Sequence, residues 1–182
     1  MRLGVVHHLG WAVAVTARAD GEVVDRRRLD LIEAGLPVAP IEHEVQDLDD
    51  DEAVALVSAV RASAVRSATA GLDDLVARTG PIESMSLRYW SPDFPDDLAR
   101  LRRNPYRTTA DSILYRQVLA DLAHTRGWTV HLYNAQAVEA QAARALGARA
   151  HEVLHGPRIR LGAPWSKDHR VALAAALTAG GD

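Results

Sequence analysis

Short valine-rich segments alternate with long amphipathic ones along this chain, and that alternation restricts its fold more than any other feature. The apolar run Gly4–Ala17 has the composition of a buried strand. The turn Ala19-Asp20-Gly21 follows it, and Val23–Ile32 can return as the antiparallel partner. The sequence therefore predicts an N-terminal β-hairpin.

Helices and further strands follow the hairpin. Apolar residues recur every three or four positions from about Asp51 to Arg78, which predicts a long helix. The other predicted elements are a strand over Ile82–Trp90, a helix from Thr108 or Thr109 to Gly127, a strand over Trp128–Tyr133, a helix over Ala135–Leu146 with Asn134 as its cap, and a last helix from the Ser166 cap through Leu177. This order predicts a single α/β domain over residues 1–182, in which helices flank a mixed sheet.

Composition removes several classes of protein. The chain of 182 residues has no cysteine, which excludes disulfides, thiolate zinc sites and iron–sulfur clusters and favours a cytoplasmic location. No run is long and apolar enough to predict a membrane span, and His7 and His8 interrupt the apolar N-terminal segment that loosely imitates a signal peptide. P-loop, dinucleotide-binding and α/β-hydrolase motifs are also absent.

Three stretches of the sequence carry a family resemblance: Leu3–Trp11, Val130–Val138 and Trp165–Leu177. Together with the order of the elements, they resemble the RNase H-like fold, especially its branch of RuvC-type junction resolvases, over nearly the whole chain. The chain also looks like a set of uncharacterised bacterial proteins through His8-Leu9-Gly10-Trp11, Thr109-Ala110-Asp111 and Pro164–His169. The resemblance implies an RNase H-like mixed sheet with an N-terminal β-hairpin and flanking helices.

The resemblance also implies a metal-dependent phosphodiesterase or nuclease-like hydrolase, because active members of the family hold two divalent cations with several carboxylates. Asp168 matches the acid that the family carries at the start of its closing helix. Where the family has an acid on the first strand, this chain has Val6 and His7, and late in the middle strand it has Ser86-Leu87-Arg88. The resemblance therefore implies an RNase H-like domain with an altered active site.

The predicted topology can gather a set of histidines and carboxylates at one edge of the sheet. We expect Asp168, His169 and Asp111 as catalytic residues, and His7, His8 and Asp168 as ligands of a divalent metal ion. Imidazole and carboxylate together suit one transition metal ion, or a general base beside an acid. The alternative is structural, because acids in the first turn of a helix stabilise its dipole and a histidine in a buried strand can belong to the core.

Arginines cluster between the middle strand and the following helix. Arg102, Arg103 and Arg107 surround Tyr106, and we expect them to bind the phosphates of a nucleic acid or of another phosphorylated ligand. The alternative is a solvated surface loop, since the net charge of the chain is −3.

Two further functions stay open at this stage. The segment His151–His155 reads H-E-x-x-H, the pattern of a zinc metalloprotease, although Gly147 and Gly156-Pro157 leave room for barely two helical turns. The other alternative is a non-catalytic scaffold or dimerising module that kept the fold after losing its acids. For such a module, the expected partner is a second copy of the chain in a homodimer.

Overall fold

The computed structural model describes residues 1–179 and contains one five-stranded sheet. Its strands are β1 Arg2–His8, β2 Trp11–Ala17, β3 Val23–Asp30, β4 Ser84–Arg88 and β5 Thr129–Tyr133. Their order across the sheet is β3-β2-β1-β4-β5. The first three strands pair antiparallel, while β4 runs parallel to β1 and β5 runs parallel to β4. The predicted α/β class with a mixed sheet is confirmed.

Helices cover both faces of this sheet. They are α1 Asp50–Thr79, α2 Leu98–Leu101, α3 Arg107–Thr125, α4 Val138–Leu146, α5 Ala150–His155, α6 Pro157–Leu161 and α7 Lys167–Thr178. Helices α1 and α3 pack together on one face, and α7 packs on the other with α4 beside it. Within residues 1–179, no helix combines the length and apolarity needed to cross a bilayer.

The predicted N-terminal strand over Gly4–Ala17 is wrong, because the structure divides it into β1 and β2. The chain reverses at Leu9-Gly10, where Gly10 has a φ of 78°. Glycine adopts that conformation without a steric penalty. The predicted hairpin is therefore the pair β2–β3, and β1 adds a third antiparallel strand in front of it.

The alternation in the sequence of β4 predicts Met85, Leu87 and Tyr89 on one face and Ser84, Ser86 and Arg88 on the other. Met85 and Leu87 belong to the core that includes α1 and α3, but Tyr89 is exposed, and Ser84 and Ser86 on the opposite face are buried as well. The reason is that β4 lies between β1 and β5 in the sheet, so that helices cover both of its faces.

Helix α7 approaches β1 closely at Gly4. A β-carbon added at Gly4 would lie 1.8 Å from the carbonyl oxygen of Ala172, and this distance is far below van der Waals contact. Helix α7 has alanines at the two positions next to Gly4, Ala172 and Ala176, and both are buried. Small residues on both elements therefore allow two backbones to touch.

We predict that Gly4→Ala destabilises the protein by about 3 kcal/mol or more, because one methyl group must push a whole helix away from the sheet. Urea unfolding followed by circular dichroism measures the change. The matched control is Gly71→Ala in the middle of α1, where the nearest atom to the new β-carbon is the flexible Leu29 Cδ2 at 3.1 Å. Alanine in a helix interior is favoured over glycine, so the control should be neutral or stabilising. Equal stability of the two variants would contradict the proposed backbone contact.

Candidate functional site

The carboxyl ends of β1, β4 and β5 lie at one edge of the sheet, where β1 meets α3 at Ser112 and the first turn of α7 at Asp168. Ligand sites of open α/β sheets lie at such edges. The polar side chains gathered there are His7, His8, Arg88, Arg116, Tyr133 and Asp168, and we call this group the carboxyl-edge site.

A histidine–carboxylate pair forms one half of this site. The Nε2 atom of His8 lies 3.0 Å from Oδ2 of Asp168, and the two side chains are 39% and 35% exposed. The His8 ring also stacks on Trp11, with 4.1 Å between ring centroids, and the Arg28 guanidinium lies 4.2 Å from the Trp11 centroid. The orientation of the His8 ring is therefore fixed from two directions.

The other half of the site lies on the opposite face of the sheet, against α3. There, Nε2 of His7 lies 3.5 Å from the hydroxyl of Ser112, and that hydroxyl accepts a hydrogen bond of 2.6 Å from Nη2 of Arg116. Burial and the positive charges of Arg116 and Arg88 lower the pKa of His7 to about 3. His7 is therefore neutral at physiological pH.

Of the predicted metal ligands, the structure brings His8 and Asp168 together but not His7. Successive residues of a strand point to opposite faces, so His8 meets Asp168 on α7 while His7 meets Ser112 on α3. In the part of the chain that the structure describes, no group of three or more histidine, aspartate or glutamate side chains is arranged to hold a metal ion.

Two of the predicted catalytic residues have partners elsewhere. Asp111 is buried and accepts hydrogen bonds from the backbone N–H groups of Ile41 and Glu42, at 3.0 and 2.9 Å. Burial raises the pKa of Asp111 to about 6 in spite of these bonds. His169 closes the first turn of α7, because its Nδ1 accepts a hydrogen bond of 3.2 Å from the backbone N–H of Ser166. Asp111 thus anchors the segment before α1, and His169 belongs to a helix cap.

The predicted phosphate-binding arginines Arg102, Arg103 and Arg107, which we call the arginine strip, do not share one environment. Arg102 donates hydrogen bonds of 2.8 Å to Oδ1 of Asp50 and to the carbonyl of Leu48, and it joins the start of α1 to α2. Arg103 is exposed. Arg107 is half-buried, and its Nε has no hydrogen-bond partner among the described residues.

The H-E-x-x-H motif lies on α5, a helix of six residues. His151 and His155 are exposed, and their rings stack nearly parallel with 5.0 Å between centroids. The two rings lie on one side of the helix, as their spacing predicts.

Sequence reasoning missed the two arginines of the carboxyl-edge site. Arg116 is only 6% exposed, and it donates hydrogen bonds to the carbonyl of Tyr89 and to the carbonyl and hydroxyl of Ser112. Burial and the charge of Arg88 lower the pKa of Arg116 to about 10, so the guanidinium stays charged. In the sequence, Arg88 stands out only as a departure from the acid that the resemblance implies there, and nothing in the local pattern of α3 distinguishes Arg116.

Comparison with known proteins does not identify the chain. No protein-family model matches it, and a search of curated proteins finds no significant match.

The environment of His7 predicts a loss of stability in acid. The unfolded chain binds a proton at His7 near pH 6.5, whereas the folded protein binds it only near pH 3, so the free energy of unfolding falls as the pH drops through this window. Between pH 7 and pH 5 the loss from this one group is roughly 2 kcal/mol. We expect His7→Gln to remove that loss in urea unfolding at the two pH values.

His124→Gln is the matched control, since His124 is an exposed histidine at the end of α3. Its pH dependence should follow that of the wild type. The same slope in all three proteins would show that His7 is not held neutral by its surroundings.

Proposed function

We propose that the protein is an RNase H-like domain whose carboxyl-edge site binds phosphate groups of a nucleic acid or of another phosphorylated ligand. The strand order β3-β2-β1-β4-β5, with two parallel strands added to an antiparallel meander, supports this assignment. Asp168 in the first turn of the last helix agrees with the acid that the resemblance implies there.

The observation that carries the proposal is the buried charge of Arg116. Among residues 1–179, neither Arg116 nor Arg88 forms an ion pair with a carboxylate. A buried charge without an opposite charge is costly, and a ligand anion that reaches it is stabilised in return. Three of the N–H groups of Arg116 donate hydrogen bonds within the protein, and a guanidinium has five, so the described residues do not use its full donor capacity.

Arg88 completes the anion site. Arg88 is exposed at the end of β4, close enough for its charge to lower the pKa of both His7 and Arg116. A phosphate between the two guanidiniums relieves their mutual repulsion, and Arg88 is accessible to it from solvent.

The two divalent cations implied by the resemblance do not fit these residues. Metal sites of that kind need several carboxylates, but the positions concerned hold His7 and Arg88, and only Asp168 lies beside His8. With His7 and Arg88 where the resemblance implies acids, the site presents a positive rather than a negative charge to a ligand. We therefore assign phosphate binding, and no step through a metal ion, to the carboxyl-edge site.

The test is fluorescence anisotropy with a short labelled single-stranded RNA, and with inorganic phosphate as a competitor. We expect binding that weakens with salt, is displaced by phosphate, and falls about tenfold or more in Arg88→Ala, which removes a charge-assisted hydrogen bond. The slope of affinity against salt should also decrease by about one.

Two variants serve as comparisons. Arg160→Ala changes an exposed arginine on α6 and should bind like the wild type. Arg103→Ala tests the arginine strip. Loss of RNA binding in Arg103→Ala but not in Arg88→Ala would show that the phosphate site lies at the strip. If the protein binds neither the RNA nor inorganic phosphate, the proposed phosphate binding is overturned and the scaffold alternative is favoured.

A further inference from the structure

We propose that the ligand is a nucleoside monophosphate whose phosphate is held by Arg88 and whose nucleoside lies in an uncharged groove along β4 and β5. This inference rests on the proposed function, because Arg88 must bind the phosphate. It assigns a ligand class and a second binding region. We call that region the neutral groove, and Ser86, His131, Gln141 and Thr178 are among the residues that line it.

The neutral groove lies between the sheet and the helices α4 and α7. Ser86 on β4 and His131 on β5 line it from the sheet, while Gln141 on α4 and Thr178 on α7 line it from the helices. Its volume is about 820 Å³, which is in the range of small-molecule sites. Among residues 1–179, no aspartate, glutamate, lysine or arginine lines it. The groove therefore suits an uncharged group.

A buried hydroxyl at the wall of the groove lacks a partner. Ser86 is only 1% exposed, and its Oγ forms no hydrogen bond to the described residues. A buried hydroxyl without a partner costs free energy, and a ligand in the groove that Ser86 lines can supply the missing hydrogen bond. His131 lies beside Ser86 on the same face, because the register of β4 and β5 pairs these two residues. Its imidazole and the Gln141 amide are further side chains that can donate and accept hydrogen bonds at the groove.

The groove continues into the cavity at Arg88. That second cavity, of about 250 Å³, lies at the carboxyl edge and shares Tyr89, Tyr133 and Asn134 with the neutral groove. Ser86 and Arg88 are two positions apart on β4, so their side chains leave the same face of the strand about 7 Å apart. One small molecule can therefore reach from Arg88 to Ser86.

A positive charge beside an uncharged groove matches a phosphate ester with a neutral organic part. The guanidinium of Arg88 binds the phosphate. The hydroxyl, imidazole and amide groups of the groove can bind the polar edges of a sugar and a base, and the rings of Tyr89 and His131 offer aromatic surface to the base. A nucleoside monophosphate uses both cavities, whereas inorganic phosphate uses only the one at Arg88.

The experiment is isothermal titration calorimetry with adenosine 5′-monophosphate, ribose 5-phosphate and inorganic phosphate. We expect the nucleotide to bind at least about tenfold more tightly than either of the other two. Ser86→Ala should weaken nucleotide binding about fivefold and leave the affinity for inorganic phosphate unchanged, because it removes one hydrogen bond in the groove. Arg88→Ala should weaken the binding of all three.

Thermal unfolding of the free protein separates this role of Ser86 from a structural one. Ser86→Ala removes a buried hydroxyl without a partner, so the melting temperature should stay the same or rise by up to about 4 °C. Thr16→Val is the matched control, since Thr16 carries another buried hydroxyl without a partner among the described residues, on β2. Its melting temperature should not fall either, and it should bind the nucleotide like the wild type.

The outcomes distinguish this inference from the proposed function. Equal affinities for the nucleotide and for inorganic phosphate would overturn the groove and leave phosphate binding intact, whereas binding of none of the three compounds would overturn both. Ribose 5-phosphate that binds as tightly as the nucleotide would overturn the assignment of a base. Unchanged nucleotide affinity in Ser86→Ala, an equal loss in Thr16→Val, or a lower melting temperature of Ser86→Ala would overturn the role of the Ser86 hydroxyl.

Discussion

The contact of β1 with α7 at Gly4 determines where the polar groups of the carboxyl edge can lie. Because no side chain separates the two backbones there, α7 rests directly on the strand next to Ala172. Asp168 lies one helical turn before Ala172, and His8 lies on the same face of β1 as Gly4, four residues further along. The contact at Gly4 thus delivers the carboxylate to the imidazole, and a helix displaced by even one methyl group would separate them.

Successive side chains of a strand point to opposite faces, so the adjacent residues His7 and His8 lie on different faces of the sheet. His8 faces α7 and lies beside a carboxylate, while His7 faces α3 and lies beside a guanidinium. Two adjacent histidines therefore lie next to charges of opposite sign. The lowered pKa of His7 follows from its face of the sheet, through burial and the charges of Arg116 and Arg88.

Sequence patterns predict the elements well where a single periodicity decides them. The long helix α1 and the last helix α7 with its Ser166 cap are confirmed, because apolar spacing and capping residues act locally. The turn at Leu9-Gly10 was missed, since an apolar run gives no sign of where it folds back on itself. The place of Asp111 was missed for another reason. Its partners are backbone N–H groups about seventy residues away, which no local pattern encodes.

Arg116 differs from several other arginines of the chain because no carboxylate balances its charge among the described residues. Arg27, Arg66 and Arg126 each pair with a carboxylate, so their charges are neutralised within the protein. Such ion pairs neutralise the arginine charges without any ligand. On an exposed surface they contribute little to the free energy of unfolding. Arg116 is more deeply buried than these pairs and has no carboxylate among the described residues. Selection for stability alone favours an apolar side chain at such a position, because a buried unpaired charge costs free energy. Arg116 offsets part of this cost with three hydrogen bonds to Tyr89 and Ser112, and the charge that no carboxylate balances is the reason for proposing an anion at this position.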